Sequence, residues 1–277
     1  MKHINTVKNA GFTLLELSIV LVIIGLVVGG VLVGTDLIKS AKLQKVIREV
    51  QGYQNAVATF KLKYGGMPGD MRGASNFFPG AVFNADATNW QGSDALPGDG
   101  YINAGLEGAD AWRQLALAGL INASNMEGAE RCGADATDSQ FCGQLRGVTA
   151  PASSFNDKGA WQLGVQYTEY ISSGYGSGGA VNQLLFTAAS RDFGNGHTWY
   201  TGGKILTSLA AYNIDSKIDD GFPTTGSVRN ASYNSSASSS ESEDRKVLRC
   251  VLDDVTPRTY IRLDGEAACT LAFPLGI

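Results

Sequence analysis

The sequence predicts an α+β chain, with one long N-terminal helix packed on an antiparallel sheet in a globular head. Three observations lead there. Residues Leu17 to Thr35 pass without a single charge. Leu43, Val46, Val50, Tyr53, Val57, Phe60 and Tyr64 then recur at spacings of three and four, which line one helical face. Farther on, WQLGVQY alternates Trp161, Leu163, Val165 and Tyr167 as a half-buried strand does.

The uncharged run is the first element. As a helix it is about 28 Å long, close to the hydrocarbon thickness of a bilayer. It is longer than the apolar core of a secretory signal peptide, and it continues into a helical pattern instead of ending in a small-residue cleavage site. A soluble core helix of this length without charge would be unusual. The run reads as a membrane-spanning helix that stays with the protein. Glu16 sits at its start, and a carboxylate well inside a bilayer costs about 2.5–3.5 kcal/mol. Snorkelling to the headgroups is one explanation for it. A cut after Gly11 gives another: the new amine of Phe12 would lie four residues from Glu16. In a bundle of such helices the carboxylate of one copy would pair with the amine of another and set their register.

The segment from Lys8 to Gly11 followed by FTLLELSIVLVIIG resembles the class III signal sequence of type IV pilins and type II secretion pseudopilins. The resemblance rests on the glycine before the cut, the phenylalanine after it, and the glutamate five residues into the mature chain. It implies that a membrane prepilin peptidase cuts after Gly11 and methylates the new terminus, Phe12, leaving Glu16 as the assembly glutamate. Implied partners are that peptidase, other pilin or pseudopilin subunits, and an inner-membrane assembly platform. The implied fold is a ladle: leader 1–11, transmembrane and filament-core helix 12–35, amphipathic continuation 36–64, and periplasmic head 65–277. Many major pilins carry a proline in the later half of this segment. Here Gly25, Gly29, Gly30 and Gly34 occur instead, which permits close helix approach or local unwinding.

Orientation poses a conflict. Lys2 and Lys8 precede the span, whereas Lys39, Lys42, Lys45 and Arg48 follow it. A count of basic residues alone would place the C-terminal side in the cytoplasm. The resemblance implies the opposite, a cytoplasmic N-terminus, and the cysteines suit an oxidising compartment.

The helix is expected from Phe12 to Tyr64, where GGMPGD ends it. Gly65 or Gly66 can adopt the left-handed conformation after the last turn, and Pro68 cannot continue the helix. In the head, DAWRQLALAG suggests a helix capped by Asp110 and stopped at Gly119. AVNQLLFTA, from Ala180 to Ala188, is a second strand. SLAAYNIDSKIDDG suggests a helix from Ser208 that closes near Gly221. Further strands are expected around Lys246–Leu252, Thr259–Leu263 and Cys269–Phe273, after a serine-rich flexible loop from Ser232 to Asp244. Four cysteines fall as two local pairs, Cys132/Cys142 and Cys250/Cys269. An even count in an exported chain favours disulfides with that connectivity, among three permitted pairings.

Chemistry in the head is sparse. Outside the leader, His197 is the remaining histidine, and one histidine beside aromatics is usually structural. There is no G-x-S-x-G elbow and no zinc-ligand spacing, and GGK at Gly202–Lys204 lacks the rest of a phosphate loop. Calcium is the one candidate cofactor, at Asp94 and Asp99 in one loop and Asp215, Asp219 and Asp220 in another. Turn and cap roles account for these acids more simply. The chain carries a net −4, and its two leader lysines make the remainder more acidic still, which disfavours nucleic acid as a partner. The expectation is a non-enzymatic filament subunit, inserted in the inner membrane and then assembled into a pilus or a secretion pseudopilus. It is expected to be a minor or specialised subunit. The alternative is a single-pass anchor for a periplasmic binding or hydrolytic domain that never polymerises.

Overall fold

The computed structural model describes residues 14–78, 98–102, 106–122, 126, 146–167, 180–188, 203–231, 236–237, 250–252, 257–262 and 265–276. The chain divides into two compact units, Met1–Lys42 and Leu43–Ile277. Helix α1, Leu14–Tyr64, supplies the described part of the first unit and opens the second. The other helices are α2 (Leu106–Leu117) and α3 (Ser208–Ile218). In chain order the strands are β1 (Gly159–Tyr167), β2 (Ala180–Ala188), β3 (Arg229–Asn230), β4 (Ser236–Ala237), β5 (Val251–Leu252), β6 (Thr259–Tyr260) and β7 (Leu271–Pro274).

In the first unit every large apolar side chain from Leu14 to Ile38 is exposed. The polar hydroxyls in this stretch bond back to their own helix, Ser18 Oγ to Leu15 O and Thr35 Oγ1 to Leu32 O, each at 2.8 Å. Such internal pairing is what polar side chains need in an apolar surrounding.

In the second unit α1 becomes one-sided. Leu43, Val46, Val50, Val57 and Phe60 are buried, and Tyr53 and Tyr64 pack against the same core. All seven residues of the expected stripe therefore face inward. They meet Trp112 of α2, Trp161 and Leu163 of β1, Leu184 and Phe186 of β2, and Leu271 and Phe273 of β7. The four-stranded sheet runs β1-β2-β7-β3 and is antiparallel throughout. Alternation decides which side chains face α1. Trp161 lies opposite Phe186, with ring centroids 4.7 Å apart, and Leu184 lies opposite Phe273. Leu185, Ala231 and Ala272 form a separate small cluster, as residues of opposite parity on a pleated sheet must.

The helix ends follow local chemistry. Gly65 has φ 76°, and its N–H donates to Lys61 O at 2.9 Å, closing α1 with a left-handed residue. At the end of α2, Gly119 N–H donates to Ala116 O and Leu120 N–H to Leu115 O, the paired bonds of a Schellman stop. The start of α2 differs from expectation. It begins at Leu106, and Asp110 is 2% exposed inside the helix instead of capping it. Burial of Ala109, Ala111, Trp112 and Leu115 carries the helix back through Gly108 despite that residue's poor propensity. Thr207 caps α3, its Oγ1 accepting from Ala210 N at 3.1 Å.

The second sheet has order β4-β5-β6. Ser236–Ala237, within the segment expected as a flexible loop, instead pairs in parallel with Val251–Leu252. A Cys250–Cys269 disulfide, with Cα atoms 5.1 Å apart, bonds this sheet to the chain entering β7. Cys132 and Cys142 lie outside the described residues.

Phe60, fully buried, and Leu62, 88% exposed, lie two residues apart on α1 and provide an internal comparison. Phe60→Ala is expected to cost about 3–5 kcal/mol in denaturant unfolding of the full chain in detergent. Leu62→Ala should change it by no more than about 0.5 kcal/mol.

Candidate functional site

The N-terminal stretch of α1 is the segment whose surface the chain itself leaves uncovered. From Val20, 49% exposed, to Leu14, 87% exposed, its apolar side chains stand outward all around the helix. Among the described residues this is the one helix long and apolar enough to cross a membrane. A cylinder apolar on every side needs lipid or other helices around it. Glu16 lies in the first turn of α1, exposed, where the positive end of the helix dipole favours an acid. Gly11 and Phe12 lie outside the described residues. At Gly25, Gly29, Gly30 and Gly34 an added Cβ would meet nothing within 4 Å, so the backbone there is open to a close neighbour.

A second carboxylate on the same helix has a different role. Glu49 sits at the edge of the buried stripe and accepts from Ser153 Oγ and Trp161 Nε1 at 2.7 Å. It also accepts from Ser154 N at 2.9 Å and Ser154 Oγ at 2.6 Å. Gln54, further along, donates through Nε2 to Pro274 O at 2.7 Å. These directional bonds tie α1 to β1, to the loop before it, and to β7. Beside Glu49 the Tyr53 hydroxyl is raised well above its usual range, first by burial and then by that carboxylate. Sequence reasoning missed Glu49, because its partners lie more than a hundred residues away and share no local pattern with it.

The acids proposed for calcium are partly brought together. Ligand oxygens of Asp215, Asp219 and Asp220 lie within 4.8 Å of one another. Each also closes local structure. Asp215 accepts from Gly221 N at 3.1 Å and from Tyr260 Oη at 2.8 Å. Asp219 accepts from Ser227 N and, at 3.1 Å, from Val228 N. Asp220 accepts from Phe222 N at 2.9 Å and Thr225 Oγ1 at 2.6 Å. Asp99 accepts from Tyr101 N at 2.8 Å in a turn of its own. Asp94 and His197 lie outside the described residues. Asp70, not singled out from sequence, organises the loop near Asp99 by accepting from Gly98 N and, at 2.8 Å, from Gly100 N. In the GGK stretch, Gly203 exchanges backbone bonds with Ala188, so it extends β2's pairing.

Asp215 is fully buried, and its carboxyl is pushed up to about 7, chiefly by burial. The Tyr260 and Gly221 bonds oppose that shift, while Asp220 and Asp219 add to it. The folded chain therefore holds this proton more tightly than the unfolded chain, whose aspartate titrates near ~3.9. Its contribution is fully present below about pH 4 and is lost as pH rises through about 7. Asp70, also raised by burial, acts in the same direction. Thermal unfolding between pH 4 and 8 should show this decline, and Asp215→Asn should flatten it. An unchanged slope in the variant would remove Asp215 as the cause.

No curated protein and no solved structure matches the chain. Residues 7–32 match the family model for the prokaryotic N-terminal methylation motif, and with it the chain carries the prepilin-type signal of type IV pilins and pseudopilins.

Proposed function

We propose that the chain is a subunit of a type IV filament, a pilus or a type II secretion pseudopilus, assembled through its N-terminal helix. The observation that carries this is the methylation motif at residues 7–32, overlapping a helix that is apolar and exposed on every side. In this reading prepilin peptidase removes the leader after Gly11 and methylates Phe12. The chain waits in the inner membrane with its N-terminus cytoplasmic and its head periplasmic, and the Cys250–Cys269 disulfide suits that oxidising compartment. Assembly then exchanges lipid for the helices of other subunits. Apolar packing is non-directional, so the pairing of one copy's Glu16 with another's Phe12 amine fixes the stagger. A head that begins at residue 65 of 277 and an N-terminal helix without proline favour a minor or specialised subunit. The head is a structural and contact-making body without catalysis, and its acidic clusters are loop-closing residues.

Two outcomes test this. Co-expression with a prepilin peptidase should give an intact mass lacking Met1–Gly11 and carrying one added methyl. A full-length mass beside a competent peptidase would make the helix a plain anchor for a head with its own activity. Glu16→Ala should remain membrane-inserted yet drop out of sheared filaments, since leaving an amine unpaired in an apolar core costs about 3–5 kcal/mol per contact. Wild-type incorporation of that variant would rule out the pairing mechanism.

A further inference from the structure

The basic residues that follow the apolar stretch are not needed for the packing or processing described above. We infer that Lys39, Lys42, Lys45 and Arg48 form a collar on α1 that binds the phosphate headgroups of anionic phospholipid. The inference rests on the membrane reading of the preceding residues and adds a lipid class to it.

Four features of the helix support the assignment. All four side chains are exposed, and the first follows directly on Ile38, the last of the exposed apolar run. No acid interrupts them: Asp36 precedes the group, and Glu49 follows with both oxygens engaged by Ser153, Ser154 and Trp161. Their spacing of three residues turns each about 60° back from the one before, so they wind roughly half-way round the helix over about 14 Å. A protein partner would touch one face of that cylinder, whereas a headgroup layer surrounds it. Finally, the chain as a whole carries −4, so its attraction to an anionic surface must come from a local group and not from general basicity.

The chemistry fits. Lysine and arginine lay their methylene stems along apolar surface and hold the charge at headgroup level. Cations near an anionic bilayer surface each favour it by a factor of about five. The collar also accounts for basic residues on the side of the span that a simple charge count would assign to the cytoplasm. They hold the helix at a fixed depth from the far leaflet, and assembly must release them.

The test uses the full chain reconstituted in bilayer discs of phosphatidylcholine with a minority of phosphatidylglycerol, with co-retained lipid read by native mass spectrometry. Phosphatidylglycerol should be enriched by at least about tenfold over its bulk share at low salt, and less so as salt rises. The combined Lys39→Gln, Lys42→Gln, Lys45→Gln, Arg48→Gln variant should lose most of that enrichment. Lys39→Arg, Lys42→Arg, Lys45→Arg should keep it, as should Lys61→Gln, an exposed lysine farther along α1. No enrichment in the unaltered chain, or full enrichment in the glutamine variant, would overturn the collar. So would zero-length cross-links from Lys42 or Lys45 to head carboxylates of a second copy, with no lipid preference. Resistance to alkaline extraction, measured alongside, separates the two possible failures. A chain that is released has no membrane helix at all, whereas an inserted chain without lipid preference loses only the collar.

Discussion

The packing of residues 43–64 of α1 onto the four-stranded sheet is the contact around which the head is organised. Burial of Val46, Val57 and Phe60 against Trp112, Trp161 and Phe186 supplies the cohesion. That force is insensitive to where along its axis the helix sits, so it cannot by itself select one register. Glu49 and Gln54 remove the ambiguity. A slide by one helical turn, about 5.4 Å, would strip the carboxylate of its Ser153, Ser154 and Trp161 donors and the amide of Pro274 O. Trp161 links both terms, since its ring packs on Phe186 and Tyr53 while its N–H reaches Glu49.

One helix thus serves two surroundings, and its residue pattern changes accordingly. Through Ile38 the apolar side chains occupy every direction, and the hydroxyls of Ser18 and Thr35 are satisfied by carbonyls one turn back. From Leu43 on, apolar residues hold one face and charged residues such as Lys45, Arg48 and Lys61 take the rest. The α-helix suits both because its backbone bonds are internal whether lipid, water or protein lies outside. What differs is where the missing contacts come from. The second half finds them within its own chain, and the first half does not.

The sequence disclosed those features that depend on near neighbours. The seven-residue stripe, the limits of β2 at Ala180 and Ala188, the Gly65 stop and the capped start of α3 all rest on periodicity or on a single turn of chain. The Cys250–Cys269 bond was legible for the same reason, as a local pair in an exported chain. Failures came where distant packing overrode local preference. Gly108 reads as a poor helix residue, yet burial of Trp112 and its neighbours carries α2 back to Leu106 and encloses Asp110. The serine-rich stretch reads as loop because no apolar alternation marks Ser236–Ala237 as a partner for β5. Glu49 was invisible because a carboxylate at a stripe's edge looks like any solvated helix charge until its donors are known.

The acidic residues show why position, and not residue type, decides what a carboxylate does. Asp219 and Asp220 use their oxygens on backbone N–H groups and a hydroxyl of the loop that follows α3, which builds that loop. Asp215 is sealed against Tyr260, where burial favours its neutral form and couples the helix to β6. Glu49 remains at the margin of the core and gains enough donors to stay a directional anchor. Glu16 belongs to none of these settings. It stands in the first turn of a helix whose neighbouring side chains are exposed and apolar, so the surface around it offers area without direction. In such a surface a charge is the feature by which identical helices can distinguish one stagger from another. The requirement for a cation at the matching height makes removal of the leader, which creates an amine at Phe12, a condition for assembly as well as a step of maturation.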